Sequence, residues 1–239
     1  MMKGLESRKI LAKVMDIFYP ERNFITHSVY NGKKIRLKNI VNKNYCLKCG
    51  RLIGDDDKDF CLECLNKKRY FDRGVSLSLY DKQMKKSILM FKDGFRFEYG
   101  KRYADELYKE HKEFFDNIFI DIIIPVPISK QKLRKRGYNQ SEVIATRLGE
   151  LLHKEVKSDI VKKLSAKEQK TLSAENRKKN LKNAFILCDD IVQSKRILLV
   201  DDVFTTGSTI DSLAKLLKEK GAAKVYFCTV CTGSGDFYA

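Results

Sequence analysis

Apolar and polar positions follow two different rhythms along this chain, and the rhythm changes near the middle. Residues 7–18 place Ile10, Leu11, Val14, Met15 and Phe18 at helical spacing, and Pro20 stops the stripe. "SVYNGKKIRL" sets Asn31-Gly32 between two short β-like runs, which predicts a hairpin turn. "GVSLSLY" (74–80) alternates as a strand, and "DKQMKKSILMF" (81–91) reads as a short amphipathic helix broken near Gly94. Residues 99–115 read as one further helix, with Tyr103, Leu107, Phe114 and Phe115 on its apolar side.

From residue 118 the apolar runs become continuous. "IFIDIIIPVP" predicts a strand buried on both faces. A helix follows at 139–152, then short strands at 159–164 and 182–187, a strand at 195–200, a helix at 208–221 with a glycine stop, and a last strand at 224–231. Strand and helix alternate, so the fold class is α/β, a parallel sheet with helices on both faces. A domain boundary is expected at 73/74, dividing a 1–73 module from a 74–239 domain.

Cysteine spacing changes the picture of the first part. Cys46 and Cys49, then Cys61 and Cys64, form two C-x2-C pairs separated by eleven residues. Each pair offers two thiolates from one tight turn, helped by Gly50 and by the Gly54–Asp57 turn, and two such knuckles complete an S4 site suited to Zn²⁺. Four thiolates leave no open coordination position, so the metal is expected to be structural. Cys228 and Cys231 are three apart in a β-type run, where they are expected to point to opposite faces; buried strand thiols fit that setting better than a redox pair. Cys188 reads as a packing thiol.

Charge and length narrow the class. The 239 residues carry a formal net charge of +17, spread along the chain, which suits phosphorylated or polyanionic ligands. No window of eighteen apolar residues is present, so no membrane insertion is expected, and the charged N-terminus does not read as a signal peptide. The expected compartment is the cytoplasm, where thiols stay reduced.

The chemistry concentrates in "ILLVDDVFTTGST" (197–209). A buried strand runs into two adjacent acids, Asp201 and Asp202, and then into Thr205, Thr206, Gly207, Ser208 and Thr209 at the start of a helix. In a parallel sheet, ligands bind where strands end and helices begin. There the backbone N–H groups and the helix dipole favour an anion, Gly207 permits close backbone approach, and the hydroxyls add donors. GxxxxGK[ST] is absent, so the loop is not of Walker type. The two carboxylates beside it suit vicinal hydroxyls or a divalent cation. A phosphate at one end and two ring hydroxyls at the other match a ribose 5-phosphate group.

"VDDVFTTGST" resembles the ribose-phosphate signature of type I phosphoribosyltransferases, which bind 5-phosphoribosyl-1-pyrophosphate (PRPP) with Mg²⁺. "PVPISKQKLRKRGYNQSEVIA" (125–145) and "EQKTLSAENRKKNLKNAF" (168–185) are similar to segments of ComF-type competence proteins, which also carry a four-cysteine zinc module. The resemblance covers roughly residues 40–239. It implies a type I phosphoribosyltransferase fold with a small N-terminal zinc-ribbon-like module. It further implies that Asp201 and Asp202 hold the ribose 2′- and 3′-hydroxyls and that Thr205–Thr209 wrap the 5′-phosphate. The 125–136 loop then faces the pyrophosphate, with Ser129, Lys130 and Arg136 as candidate contacts in a turn that also carries Lys132, Arg134 and Lys135. The polar stretch 165–181, with Lys170 and Arg177, becomes a flexible loop closing over PRPP. In that family the first cysteines follow directly after the N-terminal helix; here more than twenty residues separate "FYPERN" (18–23) from Cys46.

Two functions fit. One is transfer of a phosphoribosyl group at C1′ of PRPP, with pyrophosphate leaving. The other is a non-catalytic PRPP-sensing, single-stranded-DNA-binding accessory protein of DNA uptake, compatible with the basic 130–136 cluster and with Phe91, Phe95, Phe97 and Tyr138. His27, His111 and His153 sit beside no nucleophile motif and are assigned no catalysis.

Overall fold

The structure is a computed structural model that describes residues 22–29, 44–53, 58–164, 185–189 and 191–233. The helix expected at 7–18, the Asn31-Gly32 turn, the 54–57 turn and the 165–181 loop with Lys170 and Arg177 lie outside the described residues.

In chain order the elements are α1 (Leu62–Asn66), β1 (Arg73–Leu79), α2 (Lys82–Asp93), α3 (Glu98–Glu110), α4 (Lys112–Asn117), β2 (Ile122–Pro125), α5 (Lys130–Arg136), α6 (Gln140–Leu152), β3 (Glu155–Val156), β4 (Val161–Lys163), β5 (Phe185–Leu187), β6 (Arg196–Phe204), α7 (Ser208–Glu219) and β7 (Lys224–Thr232). Five strands form one parallel sheet in the order β1-β7-β6-β2-β3. β6 and β7 are central, which explains why "RILLV" and "VYFCTVC" read as continuous apolar runs: both faces are covered.

The two faces are covered differently. On one, α2, α3, α4 and α6 bury Met84, Ile88, Phe91, Tyr103, Leu107, Phe114 and Ile144 against Leu198, Val200 and Cys228. On the other, α7, the cysteine knuckles and the small β4–β5 pair pack around Ile197, Leu199 and Phe227. Phe24, fully buried against Tyr103 with ring centroids 4.8 Å apart, ties the 22–29 segment into the first layer. Part of the long stretch between the N-terminal helical stripe and Cys46 is thus core.

Several local expectations need correction. The strands at 159–164 and 182–187 leave the parallel sheet and pair with each other antiparallel as β4 and β5. Such short runs cannot show from periodicity which sheet they join. The fifth sheet strand is instead β3, two residues on the edge beside β2, in a stretch too polar to signal a strand. The 99–115 helix is two helices broken at His111, whose Nε2 lies 2.9 Å from the Ser76 carbonyl oxygen on edge strand β1. The basic turn at 130–136 is a helix: Ser129 caps its start by accepting from Lys132 N–H (3.3 Å), and Gly137 ends it at φ 79°. The polar positions of β1, Ser76 and Ser78, are buried as well as its apolar ones. Ser76 Oγ satisfies itself 2.7 Å from Thr229 Oγ1 on β7, so alternation there did not mark a solvent face.

The alternation of faces also reverses near the end of the two central strands. Ile197 and Leu199 line one layer and Leu198 and Val200 the other, but Val203 then packs with the Leu198 layer and Phe204 with the Ile197 layer. β7 switches in step, so Cys228 and Cys231 both face the α2–α6 layer instead of opposite faces. Both are fully buried, as expected of strand thiols, and burial pushes both well above the usual thiol range.

Candidate functional site

The reversal happens at the level of Asp201 and Asp202, and it explains how two adjacent strand residues serve one site. β2 stops pairing with β6 at Pro125↔Val200, so both acids lie beyond β2 while β6 remains bonded to β7 as far as Phe204↔Thr232. Asp201 Oδ1 accepts from Ser141 Oγ (3.0 Å), on the first turn of α6, and from Asp202 N–H (2.9 Å). Asp202 Oδ1 accepts from Lys92 Nζ (2.9 Å), on the last turn of α2. Both partners belong to the same helical layer. Burial, and then the charge of Asp202, push the Asp201 carboxyl up to about 7.

Lys92 and Ser141 were not singled out by sequence. Lys92 sits in a helix full of lysines, and nothing local marks it as the one that reaches an acid. Ser141 lies within the "NQSE" segment, at the expected start of the 139–152 helix, with no feature of its own that points to an acid. Asn139 indeed caps α6, accepting from Ser141 N–H (3.2 Å), while its Nδ2 donates to the Val126 carbonyl (3.1 Å) and ties α6 to the end of β2. Gln140 is fully buried, and its Oε1 accepts from Arg136 Nη1 (3.0 Å).

The 205–209 loop follows immediately. Gly207 adopts φ 73° and is the N-cap of α7 with no side-chain cap of its own; of the first N–H groups of that twelve-residue helix, Ser208 N–H reaches Thr206 Oγ1 at 3.4 Å, and no partner is found for those of Thr209 and Ile210 among the described residues. No hydrogen bond from the N–H groups of Thr206 and Gly207 is found among the described residues. Thr206 Oγ1 donates to Ser208 Oγ (3.0 Å), and Thr205, Thr206 and Ser208 are exposed. Gly207 is required twice over: its φ is left-handed, and a Cβ there would lie 2.5 Å from Phe204 Cζ. The loop is thus a cradle of backbone donors at the positive end of a helix, beside two carboxylates.

Of the other candidate contacts, Ser129 and Lys130 begin α5 and Arg136 ends it. Arg136 is engaged within the protein, its Nε donating to Asp93 Oδ1 at 3.2 Å. α5 is therefore locked beside the end of α2 and the loop after it. That loop exposes Phe95 (70%) and Phe97 (60%), with Phe95 at φ 54°.

The four cysteines converge. Their Sγ atoms all lie within 4.8 Å of one another, and Cys49 and Cys61 are 3.7 Å apart. Tetrahedral zinc with bonds of about 2.3 Å spaces its sulfurs about 3.8 Å apart, so the donor set and its size fit this metal. Each knuckle is closed by its own backbone: Gly50 N–H donates to the Cys46 carbonyl (2.8 Å) and Cys64 N–H to the Cys61 carbonyl (3.0 Å). Leu47 N–H donates to the Asp59 carbonyl (2.8 Å) and joins the two. Hydrogen bonds from Cys49, Cys61 and Cys64 hold the Cys46 thiol far below its usual range, while the same contact raises Cys49. Four sulfurs crowded this closely are a donor set that a divalent cation holds as thiolates. The knuckles are docked on the sheet: Gly50 packs against Gly74 and Val75 so closely that a Cβ would lie 2.8 Å from the Gly74 carbonyl oxygen, and Gly74 N–H donates to the Lys48 carbonyl (3.0 Å).

Comparison with known proteins agrees with this architecture. The family model described as phosphoribosyl transferase domain matches residues 133–236. The chain is similar to Competence protein F of Haemophilus influenzae, 32% identical over 194 residues that span 79% of this chain and 84% of the relative. It is 34% identical over 195 residues to DNA utilization protein YhgH of Escherichia coli, covering 80% and 85% of the two chains. With Competence protein ComFC of Streptococcus pneumoniae it shares 28% identity over 186 residues, 72% of this chain and 79% of that one.

Proposed function

The chain belongs to the family of Competence protein F and DNA utilization protein YhgH, and from that membership and the site geometry we propose that it binds PRPP in the handling of incoming DNA. The observation that carries this is one juxtaposition. A loop with unpaired backbone N–H groups opens α7, and two carboxylates lie on the strand that feeds it. The loop takes the 5′-phosphate through Thr206 and Gly207 N–H and the hydroxyls of Thr205, Ser208 and Thr209. Asp201 and Asp202 accept from the ribose hydroxyls. Ser129 and Lys130 at the head of α5, with Lys170 and Arg177 of the 165–181 stretch, are assigned to the pyrophosphate.

Magnesium bound with the ligand supplies charge neutralisation at the pyrophosphate, and Asp201 and Asp202 are the hard oxygen donors on this face. Lys92 already provides a cation at Asp202, and Ser141 orients the Asp201 carboxylate for a hydroxyl donor. If an acceptor amine or base enters, a bond forms from its nitrogen to C1′, the C1′–oxygen bond to pyrophosphate breaks, and the acceptor's proton leaves to solvent. None of the three histidines touches Asp201 or Asp202 among the described residues, and the acceptor is assigned as its own base.

A second property is favoured by a separate observation. α5 carries Lys130, Lys132, Arg134, Lys135 and Arg136, and the Arg136–Asp93 contact holds it beside exposed Phe95 and Phe97. Cations for a phosphate backbone next to aromatic faces for unstacked bases suit single-stranded DNA.

Calorimetry of PRPP·Mg²⁺ against wild type and Asp201→Asn/Asp202→Asn tests the main proposal: wild type binds and the double variant loses at least ten-fold, as expected when the carboxyl acceptors of two hydrogen bonds become amides. No heat with wild type overturns it. Pyrophosphate release in the presence of a panel of bases and amines identifies a transferase; saturable PRPP binding without release identifies a sensor. Binding of a fluorescent oligothymidine to Phe95→Ala/Phe97→Ala, at several salt concentrations, decides the DNA reading: unchanged affinity removes it.

A further inference from the structure

The zinc-binding knuckles touch the phosphate loop through two arginines and one glutamate. Arg51 follows the first knuckle directly, and its carbonyl accepts from Cys46 N–H (2.7 Å). Its Nη1 donates to Glu63 Oε2 and its Nη2 to the Thr205 carbonyl, while its guanidinium lies over the Phe204 ring at 5.1 Å from the centroid. Arg69 Nη2 donates to the Thr206 carbonyl at 3.2 Å and also lies 2.7 Å from Glu63 Oε1. Glu63 sits between Cys61 and Cys64 in the second knuckle.

These are costly contacts to keep. The Arg51 and Arg69 side chains are 8% and 6% exposed, and the Nε of each is buried without a hydrogen-bond partner among the described residues. Buried charge is a weak source of stability. The direction of the contacts supplies a better reason for them. A peptide unit is planar and trans, so its C=O and N–H point in opposite directions. A donor fixing the Thr205 carbonyl therefore aims the Thr206 N–H the other way, and one fixing the Thr206 carbonyl aims the Gly207 N–H. Neither of those two N–H groups has a hydrogen-bond partner among the described residues. A positive charge at each carbonyl also polarises its peptide and strengthens the opposite N–H as a donor.

We propose that Arg51, Glu63 and Arg69 are positioning residues that aim the Thr206 and Gly207 N–H groups at the bound phosphate, so that filling the four-cysteine site sets affinity for the 5′-phosphate of the ligand. The inference rests on the PRPP reading for its ligand, but not for the loop geometry. Zinc closes the two knuckles, the knuckles hold Arg51 and Glu63, and the guanidiniums hold the loop. Lysine cannot replace Arg51, because one ammonium on a flexible stem cannot span Glu63 and Thr205 with the rigid fork that a guanidinium presents.

The test uses the full zinc-loaded chain, with Arg51→Lys, Arg69→Lys and the double variant Arg51→Met/Arg69→Met. Three quantities are measured: zinc content, affinity for ribose 5-phosphate and for pyrophosphate, and the ¹⁵N–¹H signals of Thr206 and Gly207 without ligand. Zinc content is expected to stay at wild type. Ribose 5-phosphate affinity is expected to fall about ten-fold, the loss of a weakened hydrogen bond to a charged group, with pyrophosphate affinity little changed. The two amide signals shift in each variant, and in wild type when zinc is chelated. If the double variant does not fold, the two lysine variants and Glu63→Gln carry the same measurements. Unmoved amide signals, or unchanged ribose 5-phosphate affinity in a variant whose wild type binds, overturn the proposal. Wild type that binds neither ligand overturns the PRPP reading and the affinity claim together, and the amide signals then decide the loop coupling alone.

Discussion

Gly207→Ala is the perturbation that most directly probes the phosphate loop. Two separate costs meet at this position. At φ 73° the backbone is left-handed, which costs an L-residue roughly 1–2 kcal/mol. The new methyl would also lie 2.5 Å from Phe204 Cζ and 2.7 Å from Cε2. Phe204 cannot move aside easily, because its ring stacks on Phe227 at 4.7 Å and an interplanar angle of 13°, and the Arg51 guanidinium lies 5.1 Å from its centroid. Overpacking of that kind costs roughly 1–3 kcal/mol. The sum is about 2–5 kcal/mol, or at least about 4 °C in Tm for a chain of this size. Two other glycines separate the terms. Gly137 has φ 79°, but a methyl added there would meet no atom within 4 Å, so Gly137→Ala should show the backbone cost alone. Gly233 lacks a positive φ, and its nearest neighbours are 4.0 Å away, so Gly233→Ala should be close to neutral. Thermal and urea denaturation of the three variants rank them, and calorimetry with ribose 5-phosphate reads the loop directly. Equal destabilisation of Gly207→Ala and Gly137→Ala would refute the steric argument. Unaltered ribose 5-phosphate binding in folded Gly207→Ala protein would refute the loop's role as a phosphate cradle.

Three further outcomes follow from other parts of the molecule. Cys46→Ser/Cys61→Ser should lower bound zinc to near zero by atomic spectroscopy and reduce Tm, since one ligand is lost from each knuckle; unchanged zinc content rules out the S4 site. Asp201 is raised from an ordinary value of 3.8 to about 7, so the native state holds a proton that the unfolded chain releases. Its contribution to stability is complete below about pH 4 and is lost as pH rises through about 7; Asp201→Asn should therefore flatten the fall in urea-derived stability between about pH 4 and 7, and an identical slope in the variant would contradict the burial argument. Phe24→Ala should destabilise by about 3–5 kcal/mol in urea melts, because the ring is fully buried against Tyr99 and Tyr103; a cost below about 1 kcal/mol would mean that the 22–29 segment is not part of the core.

Much of this protein is local, and local features are what an amino-acid sequence determines unaided. The C-x2-C pairs place their thiolates through the geometry of single turns. The run from Arg196 to Glu219 is strand, loop and helix in direct succession, so the two acids and the phosphate loop are neighbours by chain connectivity. Continuous apolar runs in β2, β6 and β7 declared a doubly covered parallel sheet, because only such strands need two dry faces. The contacts that tune the site are of another kind. Ser141 reaches Asp201 across 60 residues, Lys92 reaches Asp202 across 110, and Arg51 reaches the Thr205 carbonyl across 154. Each depends on the strand order β1-β7-β6-β2-β3, which sets the start of α6, the end of α2 and the cysteine knuckles around one strand end. Periodicity carries no information about which of many lysines or arginines will meet a given carbonyl or carboxylate. The reversal of facing in β6 and β7, which turns both acids toward one layer, is likewise a property of paired strands and of the layers packed on them. Chain connectivity therefore built the cradle, and the packing of distant elements aimed it.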